Sequence, residues 1–310
     1  SSDGNERVIT ADPTELLPAK DKRFEDQSRQ QLCVRVKNLE WCKQQALSLE
    51  QDVNVLWDKE LERRGIVASS AEPQDVAETE EHEQEENGPL GPLLINAQMA
   101  LDHGMTTLVE YMGTKLVFFD LRDDFVARLY YPTPGSFRLS QLLVQDGGLD
   151  TILTEVSGEL LAHEGFGDLL WSVLEKVLVN ILSAMEWCLI GEHMGEIQRF
   201  SVANESSVIT EDLVALKGYF VQKDEEGNAN GLDEEIVAHK TARLELIANT
   251  LLSEETDRLM EIYFERSTPE QSDKEVVTKQ NIAGVLARRP DKAAREFIKA
   301  HKKRMKGQLS

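Results

Sequence analysis

Residues 224–231 of the 310-residue sequence combine acidic, amide and glycine residues in a pattern that could bind calcium. An EF-hand loop needs oxygen ligands at positions 1, 3, 5 and 12 and a glycine at position 6. A loop that starts at Glu226 has Val237 at position 12, which offers no carboxylate, and one that starts at Asp224 has Ala229 at position 6. No register meets both requirements, so we interpret this stretch as an interhelical loop without a metal ion.

The six histidines are scattered, and His193 lies next to Glu192 and one helical turn from Glu196. Such a set is too small for a metal site, and a histidine at a surface or helix end is the better interpretation. The sequence also contains no GxSxG, Walker, HExxH or dinucleotide-binding motif. We therefore expect no metal, no cofactor and no catalytic residue, and we predict that the protein is not an enzyme.

The three cysteines, Cys33, Cys42 and Cys188, are widely spaced. An odd number without a CxxC pair argues against both a disulfide framework and a structural zinc site. We expect reduced thiols in a cytosolic protein, each packed as a small buried hydrophobic side chain.

The last part of the sequence reverses the charge of the rest. Residues 288–306 contain nine Lys or Arg and two acidic residues, so nine minus two gives +7, in a chain of formal net charge −22. This stretch could contact anionic lipid or an acidic partner helix, or it could be a solvated helix end that interacts with the helix dipole. The candidate contact residues for lipid or a partner are Arg295, Lys299, Lys302, Lys303, Arg304 and Lys306.

The overall composition narrows the class of protein. A net charge of −22 repels phosphate backbones, which argues against nucleic-acid binding. Hydrophobic residues make up 41% of the chain but aromatic residues only 6%, a mixture that favours helices over sheets. The sequence contains no run of 18 apolar residues, so no transmembrane segment is predicted. The first residues resemble no signal peptide and lack a Met, so we expect a fragment of a longer, soluble protein.

Apolar residues recur at helical spacing through most of the sequence. The spacing predicts a long helix over about 25–64, a helical region from 93 to 129 and a further set of helical residues over 139–160. The most apolar helix should start after Gly165 and lie at the centre of the fold, buried against several neighbours. No segment alternates with a period of two, so no sheet is predicted.

Three residues are predicted to begin later helices. Side chains of these types commonly accept hydrogen bonds at helix N-termini. The residues are Asp233, Ser253 and Thr210, and Thr210 is followed by two acids that suit the first turn. A last helix should carry the apolar residues from Val285 to Ile298.

The charge pattern also suggests four regions. Eight acidic residues lie within 66–88, and no Lys or Arg occurs between Arg64 and Lys115. Such a segment buries too little apolar surface to fold, which predicts a disordered acidic linker or a regulatory loop. The predicted regions are 1–65, a lead-in and the long helix of a preceding bundle; 66–90, the linker; 91–205, a helical bundle; and 206–310, a C-terminal bundle with a basic end.

Several segments in order resemble the MUN domain of the uncoordinated-thirteen family. The most specific is residues 212–220, DLVALKGYF, followed by Gly231-Leu232, which resembles the family's second Munc-homology segment. Residues 285–297 resemble the closing helix of its plant-type branch. Further resembling segments are 33–41, 108–131, 149–161, 166–177 with Trp171, and 256–260.

The resemblance implies an all-α fold, an elongated stack of antiparallel helical bundles like the subunits of tethering complexes. This chain would correspond to the C-terminal part of the domain, although the loop at 223–231 is longer and more acidic than usual and no C2 domain is present in the chain. The implied function is vesicle priming or tethering, in which SNARE proteins and their regulators are bound and SNARE assembly is promoted during exocytosis. The implied location is cytoplasmic, peripheral to a vesicle or the plasma membrane. A generic helical scaffold in a larger trafficking complex, without SNARE contact, is the alternative.

Overall fold

The structure is a computed structural model, and it describes residues 22–64, 91–130, 137–162, 167–190, 206–222, 231–265, 279–289 and 291–306. These residues form helices and connecting turns and contain no strand, so the all-α prediction is confirmed. None of the helices in these ranges is both long and apolar enough to cross a lipid bilayer.

The helices differ widely in length, and three segments have the wider π-helical winding. The α-helices are α1 Lys22–Glu25, α2 Arg29–Arg63, α3 Gly91–Thr114, α4 Leu139–Val144, α5 Leu149–Leu161, α6 Gly167–Ile190, α7 Ser206–Phe220, α8 Glu234–Ile247, α9 Thr256–Glu265, α10 Lys279–Arg288 and α11 Lys292–Lys306. The π-helical segments are π1 Lys115–Asp120, π2 Asp124–Arg128 and π3 Ala248–Leu252.

The chain divides into two compact units, Arg29–Val109 and a larger one made of Ser1–Ser28 and Glu110–Ser310. The boundaries predicted near 65, 90 and 205 fall at the edges of 65–90 and 191–205, which lie outside the described residues. The four predicted regions, including the acidic linker, therefore stay predictions.

In the smaller unit, α2 runs antiparallel to α3. The Lys43 ammonium lies 2.6 Å from the Asp102 carboxylate, and the Gln98 side-chain amide donates to Glu50 at 2.9 Å. The residue numbers of the partners on α3 decrease as those on α2 increase, so the two helices run in opposite directions. Several apolar side chains of α2 are more than half exposed, and these are Trp41, Leu49, Val55 and Leu56.

The larger unit is organised around α6. This helix contacts π1, π2, α5, α8 and α10. Its inward side chains are almost completely buried, among them Val173, Val177, Ile181 and Met185. The prediction that the most apolar helix is central is therefore confirmed.

The helical region expected from 93 to 129 is not a uniform α-helix. It winds as an α-helix to Thr114 and then widens, so that the Leu121 amide bonds to the Leu116 carbonyl five residues back, at 3.2 Å. The same spacing brings the Lys115 ammonium 2.9 Å from the Asp120 carboxylate, and both side chains are largely buried. A π-turn rotates the buried face of the helix without ending the helix. For this reason, apolar residues still recur at nearly helical spacing through the whole region, and the sequence predicted a single helical region.

Two predicted N-caps are wrong, and one is confirmed. Thr210 lies inside α7, where its hydroxyl bonds back to the Ser206 carbonyl at 2.9 Å. Ser253 likewise bonds to the Asn249 carbonyl, and α9 starts three residues later. Asp233 does cap α8, because its carboxylate accepts the Glu235 amide at 2.7 Å.

The last predicted helix is in fact two helices, α10 and α11. They are interrupted at residues 289–291, where proline at 290 offers no amide hydrogen to a continuing helix.

Candidate functional site

A buried carboxylate fixes the position of α7. Asp212 lies in the middle of α7 and is completely buried, although its sequence neighbourhood predicted a first-turn position. Its carboxylate accepts hydrogen bonds from the Tyr130 hydroxyl at 2.9 Å, from the Arg138 guanidinium at 2.9 Å and from the Leu139 amide at 3.0 Å. Asp212 thereby joins α7 to the start of α4 and supplies an acceptor for an otherwise unsatisfied helix N-terminus.

The partners of Asp212 are themselves held in defined geometry. Tyr130 has a φ of 56°, which is unusual for a residue other than glycine, and its amide donates to the Phe137 carbonyl at 2.8 Å. Burial, and then the charge of Asp212, raises the pKa of Tyr130 well above its ordinary value. Burial lowers the pKa of Arg138, but its bonds to Glu211 and Asp212 outweigh this and leave the pKa raised.

A required glycine lies between the end of α7 and the start of α8. The Leu232 amide donates to the Phe220 carbonyl at 2.7 Å. A Cβ atom at Gly231 would lie 2.3 Å from the same carbonyl oxygen, so a larger residue cannot occupy this position. The segment DLVALKGYF and the Gly231-Leu232 pair are thus in direct contact at the end of α7.

An open cleft of about 750 Å³ lies between α7 and α8. No atom outside its immediate neighbours lies within 4 Å of a Cβ built at Gly218, so the cleft is accessible at this point. Val214, one turn earlier, is 65% exposed. The lining residues are Val214, Lys217, Gly218, Val221, Gln222, Glu234, Val237 and Ala238.

The charges around this cleft are mainly acidic. Lys217 forms an ion pair with Glu245, so its positive charge is compensated. Glu234 and Glu235 are exposed in the first turn of α8. The cleft therefore combines an apolar surface with a negatively charged end, an arrangement suited to a helix with an apolar stripe and basic residues.

The basic end of the chain forms α11, which is anchored by Asp291. The Asp291 carboxylate accepts the Ala294 amide at 2.8 Å and the Thr256 hydroxyl at 2.7 Å, which caps α11 and joins it to the start of α9. Burial would raise the pKa of Asp291, but these hydrogen bonds outweigh it and leave the pKa lowered. The nearly buried Arg289 bonds to the Thr256 hydroxyl at 3.1 Å and to the Leu251 carbonyl at 3.3 Å.

An aromatic cluster packs α11 against α9. The rings of Phe297 and His301 stack with centroids 4.4 Å apart, and Tyr263 meets Phe297 edge-on at 5.3 Å. Phe264 contacts both rings of α11 but remains half exposed. This packing determines which side of α11 faces inward.

The opposite side of α11 carries most of the candidate contact positions. Arg295 and Lys299 are exposed and lie one turn apart, and Lys292 continues the row towards the start of the helix. The helix extends through Lys306, so positions 302, 303 and 306 follow along the same side at helical spacing, whereas position 304 lies nearer the aromatic side. The side chains after His301 lie outside the described residues.

Other sequence predictions have different outcomes. Residues 224–230 and the His193 group lie outside the described residues. Within the described residues, no group of His, Cys, Asp or Glu is arranged to bind a metal ion. Cys33 and Cys188 are buried as expected, but Cys42 is exposed, so that part of the prediction is wrong. The cleft and Asp212 were not anticipated, although Gly218 inside a helical pattern signals a close approach or an open surface.

Comparisons with known proteins give the chain a family. Protein unc-13 homolog of Arabidopsis thaliana is 28% identical over 273 residues, which cover 86% of this chain. The match covers 22% of that protein, so the chain spans about a fifth of its length. No solved structure matches the chain significantly. A family model described as PATROL1-like, TPR repeats, matches residues 9–303, and the chain therefore belongs to the PATROL1-like family of TPR-repeat proteins.

Proposed function

We propose that this chain is a vesicle priming or tethering module that binds partner helices, promotes SNARE assembly and catalyses no reaction. Its similarity to protein unc-13 homolog across 86% of the chain supports a role in membrane traffic. Its ordered resemblance to the C-terminal part of the MUN domain, in the plant-type branch, supports SNARE proteins and their regulators as partners. The module would act in the cytoplasm at the surface of a vesicle or the plasma membrane.

The cleft between α7 and α8 is the observation that carries this proposal. Helices that dock in grooves present residues at i, i+3, i+4 and i+7 to an apolar surface. The cleft offers such a surface through Val214, Val221 and Ala238, and Gly218 leaves room for a close approach. The exposed Glu234, which lines the cleft, and the neighbouring Glu235 favour a partner with basic residues beside its apolar stripe.

The mechanism is templating. Ordering a partner segment as a helix before assembly costs conformational entropy. A rigid cleft that holds one motif as a helix meets part of this cost in advance and raises the rate at which the next motif encounters it. The Asp212 hydrogen bonds and the Leu232–Phe220 hydrogen bond provide rigidity, because they fix α7 against the start of α4 and against the residues just before α8.

The substitution Gly218→Leu tests this proposal. A leucine here fills the cleft without meeting the protein interior, because the space around the Cβ is open. Gly158→Leu is the matched control, since Gly158 is also exposed, inside helix α5 and without neighbours within 4 Å. The measurement is the dissociation constant for a panel of fluorescent isolated SNARE motifs.

We expect at least one motif to bind the unmodified chain and the Gly158→Leu variant equally, and to bind Gly218→Leu at least tenfold more weakly. Absence of binding at tens of micromolar to folded protein would reject the SNARE proposal in favour of the alternative, a scaffold in a trafficking complex without SNARE contact. Equal weakening in both variants would exclude the cleft as the binding surface.

A further inference from the structure

Among the described side chains, Lys292, Arg295 and Lys299 on the outer side of α11 have no acidic partner on another helix. Elsewhere in the larger unit, cations pair across helices, as in Lys240–Glu175 at 2.8 Å and Arg243–Glu186 at 2.8 Å. Lys292 pairs only with Glu296 of its own helix, at 3.7 Å, and both side chains are mostly exposed. For Arg295 and Lys299, no ion pair occurs among the described residues.

This row of charges contrasts with the whole chain. Residues 292–306 hold seven Lys or Arg and one acid, in a protein of net charge −22. The alternative is that α11 is a solvated helix end that is basic by chance. Other cations of the larger unit, such as Lys240 and Arg243, are instead neutralised by acidic residues on neighbouring helices. The uncompensated cations on the exposed side of α11 are therefore available to an external anionic surface.

The shape of the surface favours a membrane over a partner helix. The row lies on the outer side of one helix that packs inward against α9 and α10, so it is convex and offers no groove of its own. A helix of 15 residues is about 22 Å long. A convex row of this length can place several cations against lipid headgroups at once. A single acidic helix would contact only part of the row, because there is no groove to hold it.

We propose that α11 binds membranes that contain anionic phospholipid, through Lys292, Arg295, Lys299 and the basic residues at 302, 303 and 306. Each Lys or Arg near such a surface changes the membrane partition coefficient by about fivefold. Screening limits this attraction to about 10 Å, so the acidic remainder of the chain opposes it only weakly if α11 faces the membrane.

Vesicle co-sedimentation with the full chain tests the proposal. The vesicles contain phosphatidylcholine alone or with about one third phosphatidylserine, and they carry no protein, so the result is independent of SNARE binding. The test variant is Arg295→Gln/Lys299→Gln, and the control is Lys59→Gln/Arg63→Gln, which removes two exposed cations from α2. Circular dichroism verifies that both variants keep their helix content.

We expect the unmodified chain to sediment with the anionic vesicles and not with phosphatidylcholine alone, and to be released by added salt. The test variant should lose about 30-fold in partition coefficient, whereas the control should change less than about twofold. Equal sedimentation with both vesicle types, or equal losses in both variants, would overturn the proposal. An acidic peptide that binds the unmodified chain but not the test variant, while vesicle binding is unaffected, would overturn it in favour of a protein partner.

Discussion

The guanidinium of Arg138 lies 2.9 Å from the carboxylate of Asp212, and the two residues are 74 positions apart in the sequence. Asp212 is completely buried, and Arg138 also bonds to the Val208 carbonyl at 3.2 Å. This pair joins the residue that precedes α4 to the middle of α7, the helix that forms one wall of the cleft. The stability of the candidate site therefore depends on an ion pair formed outside it.

Asp212→Asn should destabilise the fold strongly. The substitution leaves the Arg138 guanidinium without its buried counter-charge and places an amide donor opposite the Leu139 and Tyr130 donors. Breaking such a pair costs about 3–5 kcal/mol. Glu211→Gln is the control, because Glu211 pairs with the same arginine but its side chain is 66% exposed, so its loss should cost about 0.5 kcal/mol or less. Urea unfolding followed by circular dichroism gives both values, and similar losses would contradict this account of the pair.

Tyr130→Phe should reduce the sensitivity of the fold to alkaline pH. The unfolded chain ionises tyrosine near pH 10, whereas burial, and then the Asp212 charge, holds the pKa of folded Tyr130 well above that value. Stability from this residue is thus complete below about pH 10 and is lost as the pH rises further, by about 1.4 kcal/mol for each pH unit.

The free energy of unfolding, measured at about pH 8 and pH 11, should fall more for the unmodified chain than for Tyr130→Phe. A smaller loss should remain in the variant, because burial, followed by the hydrogen bond to Asp150, also raises the pKa of Tyr219. Identical pH dependence of the two proteins would show that Tyr130 ionises freely in the fold.

Two glycine-to-alanine substitutions should change stability in opposite directions. A Cβ at Gly113 would lie 2.7 Å from Lys176 Cγ and 3.1 Å from Asn180 Nδ2, both on the central helix α6. Gly113→Ala should therefore force the last turn of α3, which belongs to the larger unit, away from α6 and cost about 1–2 kcal/mol. Gly158→Ala meets no atom within 4 Å and should stabilise α5 by about 0.5–1 kcal/mol. Thermal unfolding distinguishes the two, and a stabilising Gly113→Ala would disprove the close contact of Gly113 with α6.

Arg289→Met should loosen the junction between π3 and α11. The methionine fills the space but leaves the Leu251 and Glu254 carbonyls without a donor, at a cost of about 3 kcal/mol. Arg258→Met is the control, since Arg258 is exposed and pairs only with acids of its own helix, and it should leave the unfolding midpoint unchanged. An unchanged midpoint for Arg289→Met would mean that water replaces its hydrogen bonds.

The features that sequence reasoning predicted depend on local information. Apolar spacing identified α6 and its central position. Asp233 was recognised as a cap because its carboxylate bonds within its own turn, to an amide two residues away.

The features that it missed depend on distant residues. Asp212 resembles a first-turn acid until Arg138 and Leu139 are known to meet it. Thr210 has the right residue type for a cap, but α7 begins four residues earlier. The cleft depends on how α7 and α8 face each other, a relationship that the spacing of apolar residues within either helix does not encode.

Hydrogen–deuterium exchange with a saturating SNARE motif tests the central claim, helix docking in the cleft, most directly. The residues that line the cleft lie within 214–222, at the end of α7 and just after it, and within 234–238 of α8. In the unmodified chain, we expect amide exchange in these two segments to slow when the motif is added. In the Gly218→Leu variant, adding the motif should leave exchange in both segments unchanged. Protection confined to other helices, or the same protection in the Gly218→Leu variant, would contradict the claim.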